Sequence, residues 1–298
     1  MVKPIFILGV HRSGTTWVAN ILCSHSRIAG IQAERHFGIH ESAFFCIVKD
    51  RYGDISKDEY YIEFLETFAN SDYFILTGLD KKYFYKNRAT SYDDFFKIMM
   101  DKYADEQKKE FWLEKTPAHL LYFRELKDFF PDAKFIVSKR NVIDSIKSDI
   151  RMKFFDEKMQ RKNRFPKIFF VIFLVFRYHF YYSNLYKQKK SQDYLMVEYE
   201  DLRKNRLDIT KKICDFLNVN FEQNLMEDKY RKNTLFVKDK ERGGVLTKLE
   251  VVLIKLLDKI FSIIPNQIFR CFLPLYKREF KKQDIPDWYY SIKKEELS

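Results

Sequence analysis

The sequence predicts an α/β fold: a parallel sheet flanked by helices, followed by a helical C-terminal region. Three observations predict it. Short apolar runs at Ile5 to Leu8, Phe111 to Leu113, Lys134 to Val137 and Tyr194 to Val197 are separated by stretches of helical periodicity, and strands alternating with helices make a parallel sheet covered on both faces. The first run empties into a loop bounded by Gly9 and Gly14 and then into an amphipathic helix. At 298 residues and 46% apolar composition the chain can bury one large core. A single domain over 1–298 is therefore expected, with a core over about residues 4–245 and a helical extension over about 246–298.

Along the chain, the helix after the loop runs from Thr15 to Ser24 and is expected to turn Trp17, Ile21 and Leu22 toward the sheet. Helical spacing recurs from Tyr60 to Phe68, Tyr92 to Tyr103, Leu120 to Phe130, Val142 to Arg151, Ile168 to Tyr186 and Ile209 to Leu217. Leu246 to Ile264 is apolar around much of its circumference and is read as a packed C-terminal helix; Lys248, Lys255 and Lys259 leave peripheral contact with a membrane surface as the alternative. The most apolar run, Ile168 to Phe176, falls well short of the roughly 20 residues that span a bilayer. The first strand begins by Ile5, leaving no room for a signal peptide or anchor ahead of it. Cys23, Cys46, Cys214 and Cys271 lie far apart, without the spacing of a zinc site or a disulfide framework. A reducing, cytoplasmic location is the simpler expectation.

The formal charge of +12, from 54 Lys and Arg against 42 Asp and Glu, points to anionic ligands or surfaces. The basic residues are scattered and no nucleic-acid module is present, so no nucleic-acid partner is expected. The loop Gly9-Val10-His11-Arg12-Ser13-Gly14-Thr15-Thr16 is P-loop-like. A nucleotide loop reads G-x-x-x-x-G-K-[ST], its lysine on the phosphates and its hydroxyl on magnesium. Here the two glycines keep their spacing, but Thr15 stands where the lysine belongs. Backbone amides and the helix N-terminus still favour an anion; magnesium triphosphate chemistry is disfavoured.

Three segments carry a family resemblance. Arg12-Ser13-Gly14-Thr15-Thr16-Trp17 resembles the 5′-phosphosulfate loop of sulfotransferases that use 3′-phosphoadenosine 5′-phosphosulfate (PAPS), in which a basic residue occupies the place of Arg12. Phe135 to Ser138 is followed by Lys139-Arg140-Asn141, with Ser148 eight residues after Arg140, and this is similar to the family's 3′-phosphate signature. Tyr199-Glu200-Asp201-Leu202 looks like the element after its fourth core strand. The resemblance implies a P-loop-like parallel sheet and PAPS as co-substrate, leaving 3′-phosphoadenosine 5′-phosphate (PAP). It implies donor contacts from Arg12, Ser13, Gly14, Thr15, Thr16 and Trp17 at the 5′ end and from Arg140 and Ser148 at the 3′-phosphate. Tyr199 is placed either beside adenine or in strand-end packing. Arg242-Gly243-Gly244 either closes over the 3′-phosphate or is an ordinary turn.

Sulfuryl transfer needs charge stabilised on the leaving phosphate oxygen and a proton removed from the acceptor. Arg12 suits the first task. Glu114-Lys115-Thr116-Pro117 resembles the K-T-P or K-D-P element of glycan and tyrosyl-protein sulfotransferases, which implies that Lys115 reaches the sulfuryl group; the alternative is a solvated lysine ahead of a helix that Pro117 starts. Gly30 to His36 looks like the segment where bacterial and tyrosyl-protein relatives carry a base, so Glu34 comes first and His36 second, with a structural ion pair as the alternative for Glu34. His36, His40 and Glu41 lack the order of a zinc helix, and no metal is required. The reading is sulfuryl transfer to a hydroxyl or amine of a glycan, lipid or peptide, the acceptor pocket being formed by variable stretches such as Phe37 to Asp50 and Arg151 to Lys167. Two rivals stand beside it: a P-loop kinase using ATP and magnesium on a small hydroxyl compound, and a noncatalytic nucleotide-binding module.

Overall fold

Side chains of β1 (Lys3–Gly9) alternate between two cores, Phe6 and Leu8 in one, Ile5 and Ile7 in the other. A strand with apolar residues on both faces has to be covered on both sides. The structure, a computed structural model, describes residues 2–34, 38–155, 167–185, 194–227, 229, 246–282 and 284–292. His36, Arg242 and most of the basic stretch after Arg151 lie outside these residues.

In chain order, α1 (Thr15–Cys23) follows the glycine loop, and then come β2 (Ile28–Gly30), β3 (Gln32–Ala33) and β4 (Gly38–Ile39). A π-helical turn, Phe44–Val48, leads to α2 (Asp58–Phe68), α3 (Asp72–Thr77), α4 (Lys81–Lys86) and α5 (Tyr92–Glu106). Serine and aspartate caps start three of these: Ser71, Asp80 and Ser91 each accept an amide of the first helical turn. β5 (Phe111–Lys115) runs into a 3₁₀ turn opened by Pro117 and then α6 (Phe123–Phe129), so the expected helix over Leu120 to Phe130 is split in two. β6 (Lys134–Lys139), α7 (Val142–Phe155), α8 (Lys167–Tyr182) and β7 (Tyr194–Glu198) follow. Beyond them lie α9 (Tyr199–Lys204), α10 (Arg206–Leu217), α11 (Lys248–Ile263), α12 (Asn266–Cys271) and α13 (Leu273–Lys281).

The sheet is parallel throughout, in the order β2-β5-β1-β6-β7. Its four inner and C-terminal strands are those the apolar runs predict; β2 and the antiparallel β3–β4 hairpin are too short to register as patterns. One face is covered by α1 and α10, through Val18, Ala19, Ile21, Leu22, Ile213 and Leu217. Trp17 is half-buried: it packs on this same core, and its ring also stands edge-on to Tyr199 at 5.6 Å. The other face carries an aromatic block in which Phe44 meets Phe96 at 4.8 Å and Phe64 meets Phe95 at 4.7 Å. Ile254 of α11, Phe269 of α12 and the buried Tyr289 belong to this same core, so the C-terminal helices pack where the sequence places them.

The register delivers the site. Ile7 pairs with Lys115, Gly9 with Ser138, and Lys139 with Glu198, so the carboxyl ends of β5, β1, β6 and β7 finish side by side. Ligands of open parallel sheets bind beyond that edge. Gly14, which starts α1, has φ of +97°, and a Cβ there would lie 2.6 Å from the Tyr199 ring. Gly14→Ala is therefore expected to lower stability by about 1–2 kcal/mol from the left-handed backbone alone, and more as Tyr199 is displaced. Urea unfolding would read this as a lower midpoint, whereas an unchanged midpoint would contradict the described loop.

Candidate active site

Between β1 and α1 the chain makes a tight turn, Ser13 N–H donating to Val10 O at 3.1 Å. A Cβ on Gly9 would sit 2.7 Å from Ser138 O, so the loop lies directly on the end of β6. Arg12 takes φ of +69°, uncommon outside glycine. Two contacts hold it there: its Nε donates to Ser148 Oγ at 2.9 Å, and Arg140 Nη1 donates to its carbonyl at 3.4 Å. Ser138 Oγ donates to Ser13 O at 2.7 Å, and Tyr182 O–H in turn donates to Ser138 O at 2.8 Å. The residues the sequence assigns to the two ends of the donor, Arg12 and the pair Arg140 and Ser148, are thus joined directly.

Arg140 lies over the Tyr199 ring, 4.4 Å from its centroid, and Tyr199 supports both Gly14 and Trp17. A cation stacked on an aromatic face keeps its donors in one plane, facing a ligand. Tyr178 O–H fixes the Arg140 carbonyl at 2.8 Å. From here a cleft of about 850 Å³ opens, lined by Lys139, Arg140, Asn141, Tyr178, Glu200 and Ser262 to Asn266, the end of α11 and the turn after it.

At the other end of the site, Lys115 closes β5. Its side chain is 3% exposed, and its Nζ donates to Glu41 Oε1 at 2.6 Å. Burial opposes the Glu41 charge, but Lys115 and His11 outweigh it and hold the carboxyl below its ordinary range. His11 is pulled down by desolvation first and by the Arg177 charge second, which keeps the imidazole neutral at neutral pH. Arg177 is paired with Asp149, both largely buried. Burial also lowers Arg12, opposed by the Asp149 charge; the guanidinium remains a cation, acting where water screens it least.

What fixes Glu41 against Lys115 is a buried network around Glu114. Its carboxylate accepts from Ser42 Oγ at 2.7 Å, Thr116 Oγ1 at 2.6 Å and His119 Nδ1 at 2.9 Å. Thr116 Oγ1 receives the Ala43 amide at 3.0 Å and His119 Nε2 the Phe45 amide at 3.2 Å. Since Nε2 accepts, the imidazole proton sits on Nδ1 and is donated to Glu114. Glu41 and its following residues are thereby tied to the strand that ends in Lys115.

Of the sequence candidates, the structure gathers Arg12, Ser13, Gly14, Thr15, Thr16, Trp17, Arg140, Ser148 and Tyr199 around the loop, with Lys115 on the adjoining strand end. Glu34 lies on the β3–β4 connection, exposed and with no polar partner among the described residues. Sequence reasoning missed Glu41, His11 and the Asp149–Arg177 pair as site residues. Glu41 and Lys115 are 74 positions apart, and no spacing rule connects them.

A glycine loop at the edge of a parallel sheet, with the buried Lys115 on one side and the half-buried Arg12 and Arg140 on the other, is the arrangement of a site for a phosphorylated nucleotide. Residues 4–223 match the Sulfotransferase family, and the chain belongs to it: it is a sulfotransferase. Solved structures agree on the fold. The sulfotransferase domain of the Synechococcus PCC 7002 olefin synthase is similar at a TM-score of 0.51 and 20% identity, over 96% of each chain. A sulfotransferase domain from the curacin biosynthetic pathway is similar at 0.51 and 18%, over 78% of this chain and 79% of that one. Sulfotransferase STF9 from Mycobacterium avium is similar at 0.50 and 12%, over 87% and 76%. No curated protein gives a significant match.

Glu114→Gln keeps the shape but turns an amide N–H₂ toward groups that donate, and is expected to cost about 2–3 kcal/mol. Burial disfavours the Glu114 charge, but His119, Thr116 and Ser42 outweigh it, so the folded pKa lies below the ordinary 4.5. A depressed carboxyl contributes stability that is present above 4.5 and lost as pH falls through the folded value. Unfolding curves of wild type and variant should be far apart at neutral pH and converge on acidification. A pH-independent gap would contradict the network.

Proposed function

We propose that the chain moves a sulfuryl group from PAPS to a hydroxyl or amine of a glycan, lipid or peptide, as one domain working in the cytoplasm with peripheral membrane contact through its C-terminal region. The observation that carries the transfer reading is the direct bond from Arg12 to Ser148 beside Arg140, which concentrates donors for two phosphate groups within one loop system. The residues present fit such a donor. Gly9 and Gly14 leave no room for side chains between loop and strands, so amides face the ligand. The Trp17 indole N–H and the Ser145 hydroxyl are buried with no hydrogen-bond partner among the described residues and are available to a ligand. Arg140 and Ser148 would hold the 3′-phosphate; Arg12 and the amides of Gly14 to Thr16 would hold the 5′ end, with the Thr15 and Thr16 hydroxyls as further donors.

PAPS, when bound, supplies an electrophilic sulfur and a phosphate leaving group. Arg12 stabilises charge at the leaving oxygen, and Lys115, desolvated and cationic, does the same at the sulfuryl oxygens. Two carboxylates compete for the acceptor proton: Glu34, which the family resemblance supplies, and Glu41, which the geometry supplies. We take Glu41, because it touches Lys115. Held by Lys115 it is a weak base; Lys115 turning to the donor removes the contact that depresses it and raises its basicity. Glu34, with His36 two positions after it in the sequence, is the alternative.

With PAPS and a panel of phenolic, sugar and amine acceptors, Arg12→Ala is expected to lower turnover about 100-fold or more, the size of losing one transition-state donor. Wild-type turnover by that variant would remove Arg12 from the chemistry. Arg140→Ala should instead weaken PAP binding, by about 10-fold or more for a lost charged contact. Glu41→Gln is expected to suppress kcat with PAP affinity intact while Glu34→Gln does not. The reverse pattern would return the base to Glu34.

A further inference from the structure

Helix α11 has two apolar faces, and only one of them is covered. Inward, Ile254 is fully buried, and Leu257 and Phe261 pack on the core. Outward, Leu249, Val252, Leu256, Ile260 and Ile263 recur at steps of three and four, which stacks them in one stripe along the helix. All five are exposed, Leu249 at 73% and Ile263 at 78%. The apolar surface extends onto the neighbouring helices: Phe169 and Phe173 of α8 are exposed, and one turn on Phe176 meets the exposed Phe272 at 6.0 Å. An apolar patch of this extent marks an interaction site.

Charge on α11 is sorted by face. Its two acids lie away from the stripe and are paired with α8, Glu250 with Lys167 at 2.9 Å and Asp258 with His179 at 2.8 Å. On the helical wheel Lys248, Lys255 and Lys259 fall together on one flank of the exposed stripe. They are exposed and meet no acidic partner among the described residues. A second copy of the chain would bring these lysines against their own equivalents, on a protein that already carries +12. An anionic surface has no such penalty. No helix among the described residues is long and apolar enough to cross a membrane, so the contact would lie in the interface plane.

We infer that the outer face of α11 docks on a bilayer carrying anionic headgroups, its stripe at the acyl boundary and its lysines at the level of the phosphates. This names the partner of the peripheral contact proposed above. An interfacial helix of this kind combines an apolar face with flanking lysines, and its binding depends on both. Ile263, the last residue of the stripe, also lines the cleft that ends at Arg140, so the docked chain opens its cleft at the edge of the contact.

The test is co-sedimentation of the full chain with phosphatidylcholine vesicles, with and without phosphatidylglycerol. Binding is expected only with phosphatidylglycerol and is expected to fall in high salt. Lys255→Gln with Lys259→Gln should weaken it by about 25-fold, a factor of about five for each lysine near an anionic surface. Val252→Glu with Leu256→Glu should abolish it, with melting temperature and PAP affinity unchanged in both variants. Equal binding to neutral vesicles would overturn the anionic partner and leave the peripheral placement standing; absence of binding to either would overturn both. A dimer that the two glutamates disperse would assign the face to a second copy and overturn the inference. PAP affinity, read separately, reports on the sulfuryl-transfer reading alone.

Discussion

The placement of β1 between β5 and β6 is the constraint on which the site depends. Parallel pairing fixes which residues finish level with one another, and here it sets Lys115, the Gly9 loop and Ser138 along one edge. A shift of one residue on either side would exchange side chains between the two cores and separate the lysine from the loop. Both faces of β1 are buried, so such a shift is opposed by the whole core. The positions of a flexible lysine and an arginine in a left-handed turn are thus inherited from the most rigid part of the molecule.

Rigidity at the strand ends is completed by polar groups rather than by packing. Glu114 is fully buried and remains charged because three donors surround it, and all three also receive amides of the segment after Glu41. Breaking such a network leaves buried groups unsatisfied, which makes it a strong determinant of geometry even where its net contribution to stability is small. Its product is the Lys115–Glu41 contact, a cation and a carboxylate held within reach of the anion loop. Opposite charges shielded from water bias each other's protonation, and moving either one alters the other. In the account proposed here, that coupling links donor binding to acceptor activation.

Much of this architecture is legible in the sequence. The four principal strands are visible because each is a short apolar run bounded by turn residues, and the loop and the Arg140 and Tyr199 segments are visible because their spacing follows strand ends. Lys115 stands out through the proline after it. Glu41 does not, because its partner is 74 positions away and the contact is created by the fold. The Asp149–Arg177 pair is hidden for the same reason, joining α7 to α8 across the sheet end. β2 is hidden because three residues carry no periodicity. The apolar circumference of α11 is plain in the sequence, but which half is covered depends on where α8 and the aromatic core lie.

On the proposed function, the loop after β1, with Arg12 and Arg140, is built for the two phosphate groups of a sulfuryl donor rather than for a triphosphate with magnesium. Calorimetric titration of the full chain with PAP, and separately with ATP and magnesium, tests it most directly. Tight binding of PAP with little or none of ATP is the predicted result; preference for magnesium ATP would contradict the account and favour phosphoryl transfer.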